Sequence, residues 1–541
     1  MISWMDHLTI APIVIPLLAG TLMILIGERR RGLNAALGLT SAIALLILAA
    51  MLLWMADSAD NTAVRTYRLG NWPSLFAIVL VLDRLSALML LLTSVLGVAA
   101  LVFSLARWHR VGAHFHPLFQ FQLMGLNGAF LTGDLFNLFV FFEVMLAASY
   151  GLALHGSGAL RVRAGLHYII INLTASLLFL IGVSVIYGIA GTLNMADLAE
   201  RIPALAAEDR ALVETGAAIL GVALLIKTAM WPLGFWLPTT YAAASAPAAA
   251  ILSILSKVGI YAVLRLWLLL FGDAAGASAG VGGFWLLIGG LLTIAFGSVA
   301  LLATQNTARL AGATVLVSSG TLLAAIGAGQ VAVTGGALFY LVSSVLAIAS
   351  FFLLIELIER GRDLGADVLA VTREAFGEGD DEDLDEGEEV GVAIPATTAI
   401  LGMSFMGCAL VLSGLPPLSG FLAKFAILAP LFGQSVSSLS ATTWALLAAL
   451  VVSGMATIIA MTRAGIDAFW VSSDGTVPRV RLTEIGPVVG LLALGVALAV
   501  KPAPVLQYMQ ATAQSLHAPQ DYVRGVLPGR ELPPPTAGGA R

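Results

Sequence analysis

Runs of about twenty apolar residues recur along almost the whole chain, and they restrict it to one kind of fold. A helix of this length crosses the ~30 Å hydrocarbon core of a bilayer, where every backbone polar group must be hydrogen-bonded inside the protein. Hydrophobic residues make up 59% of the 541 residues and charged residues 11%, which is typical of a membrane protein. The alternating strands of about ten residues that build membrane β-barrels do not occur. The sequence therefore predicts an all-α polytopic membrane protein.

The apolar runs predict fourteen membrane-spanning helices. The seventh and twelfth runs are interrupted by "WPLGFWLP" and "LPPLSGF", and a proline inside a helix removes a backbone donor and clashes with the preceding turn. Irregular backbone at membrane depth is tolerated only where protein buries it or where it lines a cavity. We therefore predict that helices 7 and 12 are discontinuous. The predicted spans are residues 8–27, 33–55, 75–106, 113–131, 135–154, 165–190, 211–238, 245–271, 282–304, 309–328, 333–358, 393–431, 441–463 and 483–501.

The segments that connect the spans predict the orientation of the chain. With the N-terminus outside, the loops that follow odd-numbered spans hold most of the loop arginines, and the positive-inside rule places those loops in the cytoplasm. Both termini are then predicted to lie outside. The segment 361–391 contains "EGDDEDLDEGEE", so we expect a solvated, flexible cytoplasmic loop there. The C-terminal tail 502–541 is predicted to be disordered at its end.

Several kinds of site are missing from the sequence. The single Cys408 excludes a disulfide framework and a cysteine-ligated iron–sulfur cluster within this chain. The seven histidines lie near predicted span ends or outside the spans, without metal-ligand spacing. The glycine-rich stretches lack the strand-then-helix context of a dinucleotide site. We therefore predict no metal, no cofactor, no nucleic-acid partner and no enzyme active site.

Three of the four lysines lie inside apolar runs, where a charge is most costly. These are Lys227, Lys257 and Lys424, whereas Lys501 lies near a boundary. A lysine at the bilayer centre costs about 2.5–3.5 kcal/mol on insertion scales, so it persists only where it faces water, a carboxylate or another polar group. Arginine stays protonated in nearly any setting, but a buried lysine can release its proton. We therefore predict that the three lysines are proton relays.

One carboxylate lies at the same depth as these lysines. Glu143 lies about eight residues into the fifth span, within "LTGDLFNLFVFFEVMLAASYGLALHG". A buried glutamate needs a cation beside it, and Lys227 at mid-depth of the seventh span is the predicted partner. The pair either takes part in the relay or only holds two helices together. No carboxylate nearby in sequence accompanies Lys257 or Lys424.

Other charged residues, among them Glu356 and Glu359 at the end of the eleventh span, lie close to span ends. Asp83 opens the third span and Asp134 precedes the fifth, so both are interpreted as boundary or subunit-contact residues, with an auxiliary role in the relay as the alternative. Arg265 follows Lys257 by eight residues and shares its helix face, nearer the helix end. We expect its long side chain to extend to the membrane interface.

Four motifs resemble a known family. "DRLSALMLLLTSV", "LTGDLFNLFVFFEVMLAASYGL", "KTAMWPLGFWLPTTYAAASAPAAAILSILSKVGIYAVLRL" and "LSGLPPLSGFLAKF" resemble the antiporter-like membrane subunits of respiratory complex I, membrane-bound hydrogenases and Mrp-type cation/proton antiporters. Within that set, "TGDLFNLFVFFEVMLAASY" is similar to the D subunit of Mrp antiporters. The acidic insert followed by "VGVAIPATTAILGMSF" resembles the form of that subunit found in proteobacteria. The resemblance implies a multi-pass protein of the bacterial inner membrane.

The resemblance also implies an internal organisation and a set of site residues. Two inverted five-helix repeats are implied, 111–271 (helices 4–8) and 282–463 (helices 9–13), each with one broken helix. Helices 1–3 (1–110) precede them, and helix 14 (483–501) and the tail follow. By motif, the glutamate of the fifth helix is Glu143, and the lysines of the seventh, eighth and twelfth helices are Lys227, Lys257 and Lys424.

The chain departs from this pattern in the eleventh span. Relatives often have a histidine or lysine there, whereas this chain has Ser343, Ser344 and Ser350. Two interpretations remain open. Either water held by these hydroxyls bridges the second half of the relay, or that half conducts protons poorly.

The leading hypothesis is a proton-translocating subunit of a multisubunit Na⁺ or K⁺/H⁺ antiporter, which is not an enzyme. The resemblance implies several partners: the large A subunit (sometimes fused to B) and the small B, C, E, F and G subunits, together with protons, monovalent cations and the lipid bilayer. The alternative is the pump module of a complex I-like or hydrogenase redox complex. A third hypothesis is a stand-alone solute carrier whose lysines bind an anionic substrate.

Overall fold

A computed structural model describes residues 4–58, 64–74, 77–111, 113–156, 158–376, 396–432, 440–470 and 480–527 of the chain. In this part the fold is almost entirely helical. The strands are β1 (Arg65–Arg68) and β2 (Val79–Leu82). The α-helices are α1 (Ala11–Ile26), α2 (Arg31–Asp57), α3 (Arg84–Ser104), α4 (Phe115–Leu131), α5 (Leu135–Ala153), α6 (Ala159–Ala190), α7 (Met195–Arg201), α8 (Ala207–Lys227), α9 (Trp236–Ala243), α10 (Ala246–Leu252), α11 (Leu255–Phe271), α12 (Gly283–Ala303), α13 (Thr307–Gly327), α14 (Val331–Phe376), α15 (Ala396–Ser413), α16 (Ser419–Leu428), α17 (Ala441–Phe469), α18 (Leu482–Val500), α19 (Pro502–His517) and α20 (Gln520–Val526).

The prediction of an all-α membrane fold is confirmed. Among the described residues, eleven helical segments are long and apolar enough to cross a membrane, and two further apolar helices are shorter, Ala11–Ile26 and Ser419–Phe432. Every predicted span has a helix, or a pair of helices, at its position. The number of membrane crossings and the two inverted repeats remain predictions.

Helices 7 and 12 are interrupted where their prolines lie. In span 7, α8 ends at Lys227 and α9 begins at Trp236, and Ala229 between them has a φ of 60°. Gly234 lies in the same turn, where a Cβ would approach the Ala229 carbonyl oxygen to 2.1 Å, so only glycine fits. In span 12, α15 ends at Ser413 and α16 begins at Ser419.

The third helix begins later than the sequence predicts. The span was expected from residue 75, but α3 starts at Arg84 because the apolar residues Val79–Leu82 form β2, which pairs with β1 in an antiparallel hairpin. Asp83 then caps α3: its Oδ1 accepts from the Ser86 amide at 2.9 Å, and the Ser86 Oγ accepts from the Asp83 amide at 2.9 Å. This capping box stops the helix from extending backwards.

The C-terminal segment is more ordered than a tail. Within the predicted tail 502–541, α19 and α20 continue the fold to Val526, and α19 packs along α14. The Tyr508 hydroxyl donates to the Arg84 carbonyl at 2.8 Å, and Gln510 Nε2 donates to the Ala332 carbonyl at 3.2 Å. The predicted disordered end, 528–541, lies outside the described residues.

The predicted acidic loop lies mostly outside the described residues as well. Helix α14 continues through Phe376, although the loop was expected to begin at 361. The run "EGDDEDLDEGEE" falls between Phe376 and Ala396 and is therefore outside the description.

The interior of the bundle is formed by α10, α11, α13 and the first part of α14, which are buried along most of their length. Glycines allow neighbouring helices to approach closely. A Cβ added to Gly290 on α12 would lie 2.3 Å from the Ala324 amide nitrogen on α13, and one added to Gly182 on α6 would lie 2.6 Å from that of Leu220 on α8. Close backbone contact through small residues is how membrane helices associate without a hydrophobic driving force.

Candidate functional site

Glu143 and Lys227 meet through a third residue. Glu143 on α5 accepts a hydrogen bond from the Ser176 hydroxyl on α6, and Lys227 Nζ donates to the same hydroxyl oxygen at 3.4 Å. Among the ion pairs of the described residues, none joins Glu143 directly to Lys227. The structure therefore brings the two predicted residues together with a serine between them. We refer to Glu143, Ser176 and Lys227 as the serine-bridged triad.

Lys227 is positioned by the end of its helix. It is the last residue of α8 and is 5% exposed, and its Nζ lies 5.1 Å from the centroid of the Phe142 ring. A cation at a helix C-terminus is stabilised by the unpaired carbonyl groups there, and the face of an aromatic ring adds a further attraction. The break after α8 thus creates a place where a buried lysine is tolerated.

Lys257 is the most buried of the lysines. It is 0% exposed on α11, and its Nζ donates to the Ser319 hydroxyl on α13 at 3.0 Å. Among the described residues, no carboxylate is paired with it. Burying an ammonium group with a single hydroxyl partner is costly. The arginines at the membrane surface do not bear this cost, because water solvates their charge.

Lys424 lies beside the second helix break. It lies on α16, is 9% exposed, and its Nζ donates to the Ser413 carbonyl at 2.8 Å. Ser413 is the last residue of α15, so its carbonyl has no partner in the next turn of the same helix. Two glycines leave room for the lysine: a Cβ on Gly414 would lie 2.7 Å from Lys424 Cδ, and one on Gly454 would lie 3.4 Å from Nζ.

Hydroxyl groups occupy the region between α13, α14 and α16. The Ser318 and Ser344 hydroxyls are 3.0 Å apart, and the Ser343 hydroxyl donates to that of Ser419 at 2.8 Å. These residues border a small cavity, which we call the hydroxyl cavity. It is lined by Thr314, Ser318, Tyr340, Ser343, Ser344 and Thr457, together with apolar residues.

The hydroxyl cavity lies between the hydrogen-bond partner of Lys257 and the helix that carries Lys424. Ser318 is next in sequence to Ser319, the partner of Lys257, and Ser419 begins the helix that carries Lys424. Of the three serines in the eleventh span, Ser343 and Ser344 face this cavity. Ser350 instead donates to the Val488 carbonyl at 3.1 Å, away from it.

Asp83 and Arg265 form a buried ion pair with two hydrogen bonds. Arg265 Nη1 lies 2.5 Å from Asp83 Oδ2, and Nη2 lies 2.8 Å from Oδ1. Arg265 is 5% exposed, so the expectation that its side chain extends to the membrane interface is wrong. The cause is geometric: the β-hairpin places a carboxylate at the depth of Arg265, and a planar guanidinium binds a carboxylate through two parallel hydrogen bonds.

Asp134 caps α5. Its Oδ1 accepts from the amides of Phe136 at 2.8 Å and Asn137 at 3.0 Å. These bonds satisfy two of the backbone donors that a helix start leaves free. The geometry agrees with the interpretation of Asp134 as a boundary residue, and its auxiliary role in the relay remains a prediction.

A second polar cluster, whose contacts between distant segments the sequence does not show, lies at the opposite end from Asp83. Arg360 on α14 donates to Glu356 at 2.6 Å and to Glu484 on α18 at 2.6 Å, and Trp108 Nε1 donates to Glu356 at 2.7 Å. These bonds connect α14, α18 and the turn at Trp108. Among the described residues, no group of three or more His, Cys, Asp or Glu side chains is arranged to hold a metal ion.

Comparison with known proteins decides the family. The family model described as "NADH:quinone oxidoreductase/Mrp antiporter, TM" matches residues 132–455, which is more than half of the chain. The chain belongs to this family. The match begins just before α5 and ends within α17, so it includes the serine-bridged triad, Lys257, Lys424 and every named residue of the hydroxyl cavity except Thr457.

Individual relatives match over nearly the full length. The probable K⁺/H⁺ antiporter D subunit of Rhizobium meliloti (strain 1021) is 58% identical over 97% of this chain and 98% of its own. The Na⁺/H⁺ antiporter D subunit of Alkalihalophilus pseudofirmus is 32% identical over 97% of this chain and 100% of its own. A chain in the solved structure of the Mrp complex from Dietzia sp. DQ12-45-1b superimposes with a TM-score of 0.81 at 26% identity, covering 97% of this chain and 100% of that one.

These relatives confirm the resemblance to the D subunit of Mrp antiporters. They also confirm the function predicted at the coarse level, a subunit of a multisubunit cation/proton antiporter and thus a transporter subunit rather than an enzyme. The chain is a multi-pass membrane protein that works with other antiporter subunits.

Proposed function

We propose that this chain is the proton-translocating D subunit of an antiporter that exchanges K⁺ or Na⁺ for protons across a bacterial inner membrane. The names of the two relatives support a monovalent cation as the exchanged ion, and the more similar of them is named for K⁺. The proton path runs through Glu143, Lys227, Lys257 and Lys424. The observation that carries the proposal is the serine-bridged triad.

The serine-bridged triad couples a carboxylate to a lysine without a permanent salt bridge. Glu143 and Lys227 share one hydroxyl, so the serine can rotate and donate to the carboxylate while it accepts from the ammonium. When Glu143 and Lys227 are close, the carboxylate holds the proton on the lysine. When they separate, the ammonium loses this stabilisation and passes its proton on towards Lys257. A direct buried salt bridge would be harder to open, because breaking such a pair leaves an uncompensated charge.

Water in the hydroxyl cavity continues the path to Lys424. The cavity offers several hydroxyls that both donate and accept, which is what an ordered water molecule needs to bridge two polar groups. We therefore favour water bridging over poor conduction in the second half. The broken helices α8–α9 and α15–α16 contribute carbonyl groups at the two lysines, as discontinuous helices do in other transporters.

The organisation of the chain follows the same proposal. The breaks after α8 and α15 support two inverted repeats, 111–271 and 282–463. Loop arginines support termini that lie outside the cytoplasm. The partners are the A subunit (sometimes fused to B) and the B, C, E, F and G subunits, and the match to the Mrp complex supports an assembly of this kind. Exchange is driven by ion gradients, and each charge that crosses contributes about 2.3 kcal/mol per 100 mV.

The test uses inverted membrane vesicles that contain the complete complex, with Na⁺ and K⁺ compared over a range of pH. Glu143→Ala and Lys227→Ala should each abolish proton-coupled exchange while assembly, followed by co-purification, is unchanged. Glu208→Gln, at an exposed carboxylate on α8, is the matched control and should exchange like the parent. Full exchange in either site variant would refute the relay. Co-purification with iron–sulfur subunits instead of antiporter subunits would favour the redox pump module.

A further inference from the structure

A pocket opens at the end of the molecule where the C-terminal helices pack. It contains about 400 Å³ of empty space including its open mouth. Its wall combines residues from four parts of the chain: Val64, before β1; Asp83, at the start of α3; Arg265, on α11; and Ser515, Asp521 and Tyr522, on and after α19. We call this the outer pocket. In the proposed orientation it faces the outside of the cell.

The floor of the outer pocket is the ion pair between Asp83 and Arg265. The two side chains are 9% and 6% exposed, so the pair lies at the boundary between the pocket and the protein interior. The Tyr522 ring covers the guanidinium at 5.2 Å, and the Tyr522 hydroxyl is buried without a hydrogen-bond partner in the described structure. A buried hydroxyl of this kind requires a partner, and a water molecule in the adjoining pocket can supply one.

The ion pair is connected to the relay along one helix. Lys257, Tyr261 and Arg265 follow one another at intervals of four residues on α11, so they lie on successive turns of the same side, about 6 Å apart at each step. Arg265 Nη2 lies 3.4 Å from the Tyr261 hydroxyl, which donates to the Phe130 carbonyl at 2.7 Å. Polar side chains thus lie along one side of α11, from Arg265 at the outer pocket to Lys257.

We infer that the outer pocket is the mouth through which protons enter the relay from outside, and that Asp83 is their first acceptor. The inference rests on the proposed function. An Asp83 carboxylate oxygen takes a proton from hydronium that enters the pocket from outside, which leaves a water molecule behind, and releases one of its hydrogen bonds to Arg265. The proton then passes, through water beside the Tyr261 hydroxyl, to the neutral amine of Lys257. Asp83 returns to its carboxylate form and the pair with Arg265 re-forms, so no charge accumulates at the mouth.

The pairing explains how a fixed cation can stand at a proton entrance. Arg265 stays charged in nearly any setting, and alone it would repel incoming protons. Asp83 neutralises it and at the same time provides the exchangeable site. The C-terminal segment then acts as one wall of the mouth, which accounts for its ordered packing across the ends of α3, α11 and α14.

The first test places a thiol in the wall of the outer pocket. Cys408 is the only cysteine and is buried, so a Cys408→Ala background is free of thiols in this chain. Ser515→Cys is then treated with a positively charged, membrane-impermeant thiosulfonate from outside intact cells that contain the complete complex. Modification should slow exchange by about tenfold or more, because a fixed positive charge in a partly desolvated mouth repels protons.

The matched control is Gln514→Cys, the neighbouring residue on α19, which is exposed and does not line the pocket. Its modification should leave exchange unchanged. If Ser515→Cys cannot be modified from outside, or if its modification slows exchange no more than that of Gln514→Cys, the outer pocket is not the mouth. Glu143→Gln is measured in the same cells: if that variant exchanges normally, the proposed function itself has failed.

The second test addresses Asp83. Asp83→Asn should reduce exchange, and Asp57→Asn is its control, because the exposed Asp57 carboxylate forms an ion pair with Arg84 beside the same helix start. Since Asn leaves Arg265 buried without its counter-charge, Asp83→Asn with Arg265→Gln is measured as well and should assemble normally. Exchange at the parent rate in this assembled double variant would overturn the role of Asp83, whatever the single variant does.

Discussion

The two halves of the relay are built from different chemistry. In the first half a carboxylate, a serine and a lysine meet in the serine-bridged triad on α5, α6 and α8. In the second half Lys257 and Lys424 have only a hydroxyl and a carbonyl as hydrogen-bond partners in the described structure, and neutral hydroxyls fill the space between them. In the proposed relay, only the first half therefore has an electrostatic switch that can hold or release a proton. The second half can pass on what it receives.

The variant with the largest expected effect tests whether Lys227 must release its proton or only has to carry a positive charge. Lys227→Arg keeps the positive charge but removes a group that can release its proton. If Lys227 is a relay, this variant loses exchange as completely as Lys227→Ala, by about 100-fold or more. The measurement is proton-coupled cation exchange in vesicles with the complete complex. Exchange at more than half the parent rate would show that charge alone suffices there.

Removing the bridge of the triad should have a smaller effect. Ser176→Ala takes away the hydroxyl that both Glu143 and Lys227 use, and hydrogen bonds to charged groups contribute about 1.5–3 kcal/mol, so exchange should fall by about tenfold or more. Ser176→Thr keeps the hydroxyl and should restore most of the rate. The control is Thr174→Ala on the same helix, whose exposed hydroxyl only donates to the Ile170 carbonyl. An unchanged rate in Ser176→Ala would remove the serine from the mechanism.

The hydroxyl cavity should tolerate single changes better than the triad, because several neutral groups share its role. Ser318→Ala with Ser344→Ala removes a hydrogen-bonded pair and should slow exchange by roughly threefold to tenfold, whereas either single variant should have less effect. Ser350→Ala is the control in the same span, since Ser350 bonds to Val488 outside the cavity. A double variant that exchanges like Ser350→Ala would contradict the proposed water path.

The variant with the smallest expected effect on exchange tests whether Asp134 only caps α5 or also takes part in transport. Asp134→Ala removes the cap of α5 and should lower the free energy of unfolding by about 1 kcal/mol, which is measured as a lower thermal midpoint of the purified complex. Its exchange rate should remain within about twofold of the parent, because Asp134 caps the start of α5, more than two turns before Glu143. A large loss of exchange with unchanged stability would place Asp134 in the relay.

Most of the secondary structure could be predicted because membrane depth and helical backbone leave few choices. Apolar runs located every long helix, and the prolines of "WPLGFWLP" and "LPPLSGF" located both breaks. Lysines inside those runs identified Lys227, Lys257 and Lys424 as residues that need polar neighbours, and each has one. In these cases a single stretch of sequence carries the physical constraint.

Contacts between distant helices could not be predicted in the same way. Ser176 is one hydroxyl among many in the apolar runs, and nothing in its own span shows that it faces both Glu143 and Lys227. Arg265 was expected at the interface because its depth was judged from the end of its own helix. Its partner Asp83 becomes buried only because the segments on either side of it form the hairpin strand β2 and the capped helix α3.

The most direct test of the relay is the charge state of its lysines during turnover. The chain has only four lysines, so ¹⁵N-lysine labelling of this subunit in the reassembled complex gives few Nζ resonances, and Lys→Arg variants assign each one. A proton relay requires that Lys227, Lys257 and Lys424 each populate both ammonium and neutral amine within the pH range that supports exchange. If all three remained ammonium groups throughout that range while exchange continued, the lysines would not carry the proton.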